Sequence, residues 1–422
     1  MNAFGSVENI NIPLNLMVKT VSQDCNLACD YCYYSHVKGK LNRIIRKIDI
    51  NMLKKIIYDY MKMSNGSAEF TWHGGEPLLA GLEFFEEVIY MQAKYAPPNT
   101  TISNALQTNA TLIDEKWAQF FKKYNFLIGV SLDGPEEIHN SKRMYRNGSG
   151  SYREVMRGIN SLRKHNVEFN ILTVIHENNV NRAVDLMDFY NNENFQYVQF
   201  IPAMNFKAQE SESATSYLIT PLEYGEFLCK VFDIWFNAGE PKISIRFFDN
   251  MLNGYLNQEA ELCINRKTCS NTLVIEQNGD VYPCDFFISN VYQLGNINNS
   301  QLEDLMFNEN HDNFLRKKKE LSQKCMNCDF LRLCYGGCPR NRIGDKDNVL
   351  SADYFCESYK MIYQYAHERM KIVARNVRIS WLNDYLKSGG KEPGRNEPCI
   401  CGSGNKYKKC CGPLRDQIGV IR

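Results

Sequence analysis

The 422-residue chain lacks an excess of charge of either sign. It has 49 basic and 48 acidic residues, for a net charge of +1. That balance argues against a nucleic-acid binder held by a basic surface and against an acidic solvating tail. Long apolar runs are also missing: no stretch of eighteen or more apolar residues offers a membrane span. Met1–Asn15 has neither a basic opening nor a sustained apolar core, so no secretory signal is expected there. No solenoid-type repeat is visible. The length excludes a small secreted disulfide scaffold and points to two or three domains. Against these absences stand 16 cysteines. In a reducing, cytoplasmic setting that number points to bound metal.

The cysteines fall into three groups. Cys25, Cys29 and Cys32 are N-terminal. Cys263, Cys269, Cys284, Cys325, Cys328, Cys334, Cys338 and Cys356 form the second group, and Cys399, Cys401, Cys410 and Cys411 close the chain. Cys229 stands alone in a helical, aromatic-rich run and reads as a core thiol.

The long interval between the first two groups alternates short β-rich runs with amphipathic ones. Strands are expected at Asn15–Thr20, Glu69–Trp72, Thr101–Leu106, Phe126–Ser131, Phe169–Val174 and Tyr197–Ile201. Helices are expected at Asn51–Lys62, Glu83–Tyr95, Asp114–Tyr124, Tyr152–His165, Asn181–Asn191 and Leu222–Phe236. Six βα units imply an α/β protein with a parallel sheet, either a barrel or a doubly wound fold. In barrels, ligands sit on the loops after the strands. Past about Pro241 the pattern breaks into short segments and cysteines. Lys387–Glu397 reads as a linker.

The first cysteines lie in the first such loop, spaced C-x3-C-x2-C. Three thiolates can hold three irons of a [4Fe–4S] cube and leave the fourth iron open. A zinc site completed by His36 is the competing reading. Trp72-His73-Gly74-Gly75-Glu76-Pro77 follows the second strand. Its glycines permit close backbone approach, and Glu76 offers an anion to an ammonium group. Ser131-Leu132-Asp133-Gly134-Pro135 and then Arg143 follow the fourth strand.

The succession CNLACDYC, HGGEP and SLDGP resembles the radical S-adenosylmethionine (SAM) enzymes over roughly residues 11–360. The resemblance implies a partial (β/α)6 TIM-type barrel in residues 1–240. Cys25, Cys29 and Cys32 would carry the [4Fe–4S] cluster whose open iron chelates SAM. Gly74, Gly75 and Glu76 would hold the methionine end, Tyr31 and Met204 the adenine, and Ser131 and Arg143 the ribose or carboxylate. Reductive cleavage of SAM would give a 5′-deoxyadenosyl radical that takes hydrogen from substrate.

Spacing alone leaves the second group open between zinc ribbons and two four-cysteine iron–sulfur sites. The C-x2-C-x5-C-x3-C run with a later cysteine is similar to the SPASM extension of peptide-modifying radical SAM enzymes. A SPASM domain over residues 241–386 would place auxiliary cluster I on Cys263, Cys269, Cys284 and Cys338. Auxiliary cluster II would lie on Cys325, Cys328, Cys334 and Cys356. The segment YPCDF at Cys284 resembles that of the anaerobic sulfatase-maturating enzymes. This implies Asp285 as proton acceptor, with Tyr34 and His73 lining the peptide site and His73 a hydrogen-bonding spacer. The implied reaction oxidises a Cys or Ser of a sulfatase to Cα-formylglycine, fed by a flavodoxin- or ferredoxin-like reductant. A SPASM maturase making thioether crosslinks and a non-enzymatic zinc scaffold are the alternatives. The helix expected at Tyr359–Arg375 would cover the last cluster.

The tail, residues 387–422, carries eight Lys or Arg against three acidic residues. Cys399-x-Cys401-x8-Cys410-Cys411 suits a compact four-cysteine zinc site. It resembles the SEC-C motif, which implies a docking module carried as a basic patch on a tether. A purely stabilising knuckle and a fourth iron–sulfur site are the competing readings.

Overall fold

The computed structural model describes residues 15–34, 45–204, 219–342 and 351–417. The barrel portion runs β1 (Asn15–Lys19), α1 (Ile50–Met63), β2 (Ser67–His73), α2 (Leu82–Tyr95), β3 (Thr101–Thr108), α3 (Glu115–Lys123) and β4 (Leu127–Ser131). It continues with α4 (Glu136–Asn140), α5 (Tyr152–Lys164), β5 (Phe169–Ile175), α6 (Ala183–Asn192), β6 (Tyr197–Pro202) and α7 (Pro221–Phe236). All six expected strands and all six expected helices are present, each within two residues of its expected ends. Local signals explain several of those ends. Asp49 caps α1 through the backbone N–H groups of Asn51 and Met52, and Asp114 caps α3 through Trp117. Thr220 and Glu223 form a reciprocal capping box, with Pro221 in the first turn of α7.

The strand order decides between the two α/β folds. β1 to β7 (Ser244–Ile245) are hydrogen-bonded consecutively and all run parallel. A doubly wound sheet reverses order at a switch point, whereas this order is that of a barrel. It is not closed. After α8 (Arg246–Leu256), β8 (Thr272–Ile275) pairs parallel with β1. β9 (Asp280–Tyr282) and β10 (Gly295–Asn296) then extend that edge antiparallel. The ten-stranded sheet ends at β10 and β7. The boundary expected at residue 240 therefore falls inside one sheet.

The cysteine-rich segment adds short helices: α9 (Leu302–Met306), α10 (Glu309–Arg316), α11 (Gln323–Met326) and α12 (Leu331–Cys334). The 32-residue α13 (Cys356–Lys387) then returns the chain to the barrel. It is longer at both ends than the helix expected at Tyr359–Arg375. It packs along α7 and α8, where Phe247 stacks on Tyr359 and Tyr363. Tyr365 and Arg369 meet Asp233 of α7. Buried residues from Leu16 to Ala374 form one hydrophobic core. Cys229 is half-buried on α7 and packs against that core.

The tail does not hang on a tether. Cys399, Cys401, Tyr407 and Cys411 are buried against Leu382 near the end of α13, flanked by Trp381 and Leu386. Glu392 ties the connecting segment down, accepting from Tyr407 Oη at 2.8 Å and pairing with Arg415 at 3.3 Å. The apolar face of the knuckle needs cover, and the last turns of α13 supply it.

Gly225 marks the tightest point between α7 and α13. A Cβ there would lie 2.8 Å from Met361 Sδ and 3.2 Å from Ser358 Cα. Gly225→Leu should therefore destabilise the chain by about 1–3 kcal/mol through overpacking. The check is a lowered midpoint in anaerobic denaturant unfolding followed by circular dichroism.

Candidate active site

The loop after β1 carries Cys25, Cys29 and Cys32, and the loop after β2 lies directly on it. Gly75 has φ +48°, and a Cβ there would sit 1.9 Å from the Asp24 carbonyl oxygen. Gly74 has φ +88°, with a Cβ position 2.7 Å from Lys19 Cδ. Both positions thus require glycine, for backbone conformation and for space. Glu76 N–H bonds to Asp24 O at 2.9 Å and locks the two loops together. Burial pushes the Cys25 thiol up to about 12, helped by the charges of Glu76, Cys29 and Cys32. Unaided, such a thiol stays protonated. A metal reverses this, because a coordinating thiol is deprotonated outright. His36, the alternative ligand, lies outside the described residues.

Glu76 is fully buried. Oε1 accepts from Leu78 N and Thr108 Oγ1 at 3.1 and 2.7 Å, and Oε2 accepts from Asn109 N at 2.8 Å. Burial raises its carboxyl to about 7 against those three bonds. A carboxylate has about four acceptor positions, so Oε2 keeps one for a further donor.

Asp133 organises the next part of the sheet mouth. It accepts from Tyr31 Oη, and from Arg143 Nε at 3.0 Å. Val174 N reaches its other oxygen at 3.0 Å. Burial works against its charge, but Arg143, His139 and Tyr31 hold it below the usual carboxylate range. His176 stacks on Tyr31 at 5.9 Å, and its Nε2 is buried with no hydrogen-bond partner. Ser131 Oγ accepts from Gln107 Nε2 at 3.0 Å, and Met204 is buried just beyond β6. Tyr31, Ser131, Arg143 and Met204 thus all lie at or beyond strand ends, as expected. Asp133 was legible only as part of the SLDGP string. His176 follows β5 immediately, and that position is the one signal that could have found it.

A third cluster joins the first strands to the segment after β9. Lys19 is fully buried at the end of β1 and bonds to Asp285 Oδ1, to Tyr33 Oη at 2.9 Å and to His73 Nδ1 at 3.1 Å. Tyr33 Oη in turn donates to Asp285 at 3.1 Å. Burial works against the Asp285 charge. Lys19, His73 and Tyr33 nevertheless hold the carboxyl below its ordinary range. Burial and the Lys19 charge push His73 down to about 4, so its ring is neutral. Tyr34 is buried among Val274, Tyr282 and Ile288, with its hydroxyl donating to Glu276 at 2.8 Å. Tyr33 and Lys19 contact Asp285, and neither residue type stood out in its sequence context.

Seven of the eight middle cysteines separate into two electrostatic neighbourhoods. Burial pushes Cys269 up to about 12, and Cys338 and Cys263 raise it further. Cys284 is raised by burial and by the same two residues. In the other set, burial lifts Cys334 to about 11, with Cys325 and Cys356 adding to it. In the knuckle the four sulfur atoms lie within 4.8 Å of one another. Cys401 is 3.5 Å from Cys399 and 3.4 Å from Cys410. Four sulfurs at about 2.3 Å from one tetrahedral ion would be about 3.8 Å apart, so the set fits zinc.

Comparison with known proteins gives the decisive likeness. The cysteine-type anaerobic sulfatase-maturating enzyme of Clostridium perfringens is 37% identical over 372 residues, spanning 87% of this chain and all of the relative. The serine-type enzyme of Bacteroides thetaiotaomicron is 36% identical, over 86% of this chain and 92% of the relative. The chain belongs to the anaerobic sulfatase-maturating enzymes.

As a member of that family it is a radical SAM oxidoreductase of sulfatase maturation. The radical SAM superfamily pattern matches residues 20–190, an iron–sulfur cluster-binding (SPASM) domain residues 263–329, and a SEC-C motif residues 395–413. The solved structure described as native anSMEcpe with bound AdoMet superposes with a TM-score of 0.80 at 36% identity. It covers 86% of this chain and all of the other. The family implies [4Fe–4S] clusters and AdoMet (SAM). The three thiols at Cys25, the glycine cradle and the orphaned His176 Nε2 fit those groups. Among the described residues, no helix is long and apolar enough to cross a membrane.

Gly75→Ala should weaken SAM binding by tenfold or more, because the loop must back away from Asp24. Equilibrium binding of labelled SAM to the reconstituted protein measures this. Iron content of the variant separates a lost ligand site from a lost cluster.

Proposed function

We propose that this sulfatase-maturating enzyme oxidises a peptidyl Cys or Ser to Cα-formylglycine, with Asp285 as the base. The observation that carries the reading is the place of Asp285: next in sequence to Cys284, and held by Lys19 and Tyr33 at the mouth of the sheet. AdoMet and a reduced cluster on Cys25, Cys29 and Cys32, when bound, supply abstraction of a hydrogen atom. Asp285 accepts the proton of the substrate thiol or hydroxyl. Cys263, Cys269, Cys284 and Cys338 hold the acceptor for the second electron. Cys325, Cys328, Cys334 and Cys356 carry a further electron-transfer site. The substrate thereby gives up one Cβ hydrogen atom, one proton and one electron. When the starting residue is Cys, water hydrolyses the thioaldehyde to the aldehyde and the sulfur leaves as hydrogen sulfide.

Further residues serve the cofactor. Gly74 and Gly75 bring backbone against the methionine end of SAM, and the free acceptor position on Glu76 suits its ammonium. Tyr31, Ser131, Arg143 and Met204 line the adenosyl side. His73 and Tyr34 border the substrate. The structure with bound AdoMet and Cp18Cys peptide, 36% identical to this chain, supports a peptide as substrate. Electrons come from a flavodoxin- or ferredoxin-like donor. Cys399, Cys401, Cys410 and Cys411 hold one zinc ion.

The test is anaerobic incubation with SAM, reductant and a C-x-P-x-R or S-x-P-x-R peptide, read by mass spectrometry. A mass loss matching the aldehyde is expected, and it identifies the preferred residue. Asp285→Asn should remove at least nine-tenths of that product while 5′-deoxyadenosine is still released. Full product from the variant would remove Asp285 from the mechanism.

Metal analysis should find about one zinc per chain. The double substitution Cys399→Ser with Cys411→Ser should lose it without loss of iron. A zinc-free, iron-rich tail would contradict the assignment.

A further inference from the structure

Lys19 ends the strand whose loop carries the first cysteines, and the proposed chemistry uses it only as a partner that holds Asp285 in place. Its side chain is fully buried, and the ammonium has three protons. They meet three partners: Asp285 Oδ1, His73 Nδ1 and Tyr33 Oη. A buried ammonium with every proton engaged, and a carboxylate among its partners, is a fixed charge rather than a mobile one.

The consequences for the two flanking groups are specific. Asp285 Oδ1 takes both Lys19 and the shorter bond from Tyr33, at 3.1 Å. Among the described residues, Oδ2 keeps only a 3.4 Å contact with Tyr33. It is the oxygen with capacity for a new proton. At His73, Nδ1 faces Lys19 and also the Gly74 N–H at 2.6 Å. Both are donors, so Nδ1 carries the lone pair and the ring proton is on Nε2.

We propose that Lys19 is the positioning residue of the reaction. It occupies Oδ1 so that Oδ2 of Asp285 receives the substrate proton. It also fixes the His73 tautomer so that Nε2–H is the donor offered to the substrate side chain. The inference rests on the formylglycine reading above. No bond to Lys19 forms or breaks: the proton leaves the substrate sulfur or oxygen and arrives on Oδ2. A donor at Nε2 favours a substrate atom that gains negative charge as it loses that proton. A buried charge on a strand is a rigid support for such an arrangement, since neither its rotamer nor its depth can drift.

The experiment compares Lys19→Met and Lys19→Arg with the unmodified holoenzyme on a peptide that the latter converts. Formylglycine and 5′-deoxyadenosine are counted together. For Lys19→Met, the number of 5′-deoxyadenosine molecules released per product should rise tenfold or more. The product kcat should fall by the same factor, with the peptide KM within about twofold. Lys19→Arg, which restores the charge and donors, should recover a good part of the coupling. Iron content shows that each chain is loaded. If Lys19→Met does not load, the Arg variant and Lys19→Gln carry the comparison, with Arg the better coupled. Equal coupling in all chains, or a loss confined to KM, overturns the inference. An unmodified holoenzyme that makes no formylglycine overturns the underlying reaction instead, so the two failures are distinguishable.

Discussion

Strand β1 has hydrogen-bonding partners on both edges, and the rest of the molecule depends on that. On one side it pairs with β2 and so with the barrel. On the other it pairs in parallel with β8, which begins the cysteine-rich half. A parallel pairing needs a long crossover, and here most of the chain is that crossover. Its effect is to bring residues as much as 266 positions apart to one rim. Lys19 ends β1, His73 ends β2, and Asp285 follows the β8–β9 hairpin. Without the β1–β8 pairing, the carboxylate beside Cys284 would have no reason to face the loop of Cys25.

The same rim concentrates buried ionisable groups that cost free energy unless partnered. Asp133 and Glu76 are buried and Asp285 is largely so, and each accepts several hydrogen bonds or faces a cation. The thiols are different. Burial raises Cys25, Cys269, Cys284 and Cys334, and nearby cysteines raise them further. Clusters of thiols that disfavour their own ionisation are held together by metal binding, so cluster assembly and folding of these loops are one process.

Much of this was legible in the order of residues. Strand and helix periods located the barrel elements because each buries one regular face. Cysteine spacing located the metal loops because ligands on a short loop need fixed intervals. The signals fail where contact is remote in sequence. Lys19 reads as the polar end of an apolar strand, and Asn15–Lys19 has nothing to say that β8 will lie beside it. The contacts of Asp133 with Tyr31 and of Tyr33 with Asp285 left no local signal, because each spans more than a hundred positions. The tail read as tethered because its linker is polar. The cover for its apolar face lies on the preceding helix, at Trp381, Leu382 and Leu386.

That helix has a mechanical consequence. α13 begins at Cys356, assigned to an iron site, and its last turns are clamped by the knuckle. Thirty-two residues at 1.5 Å each make a rod of about 48 Å. On the proposed assignment, one end would be anchored beside an oxygen-labile iron centre and the other by zinc, an ion with no redox chemistry of its own. Because α7 and α8 also grip the rod through Tyr359, Tyr363 and Arg369, loss of iron would loosen its first turn and leave the rest seated. The knuckle would stay folded on the distal turns, and the chain would retain a fixed point from which the damaged end could be rebuilt.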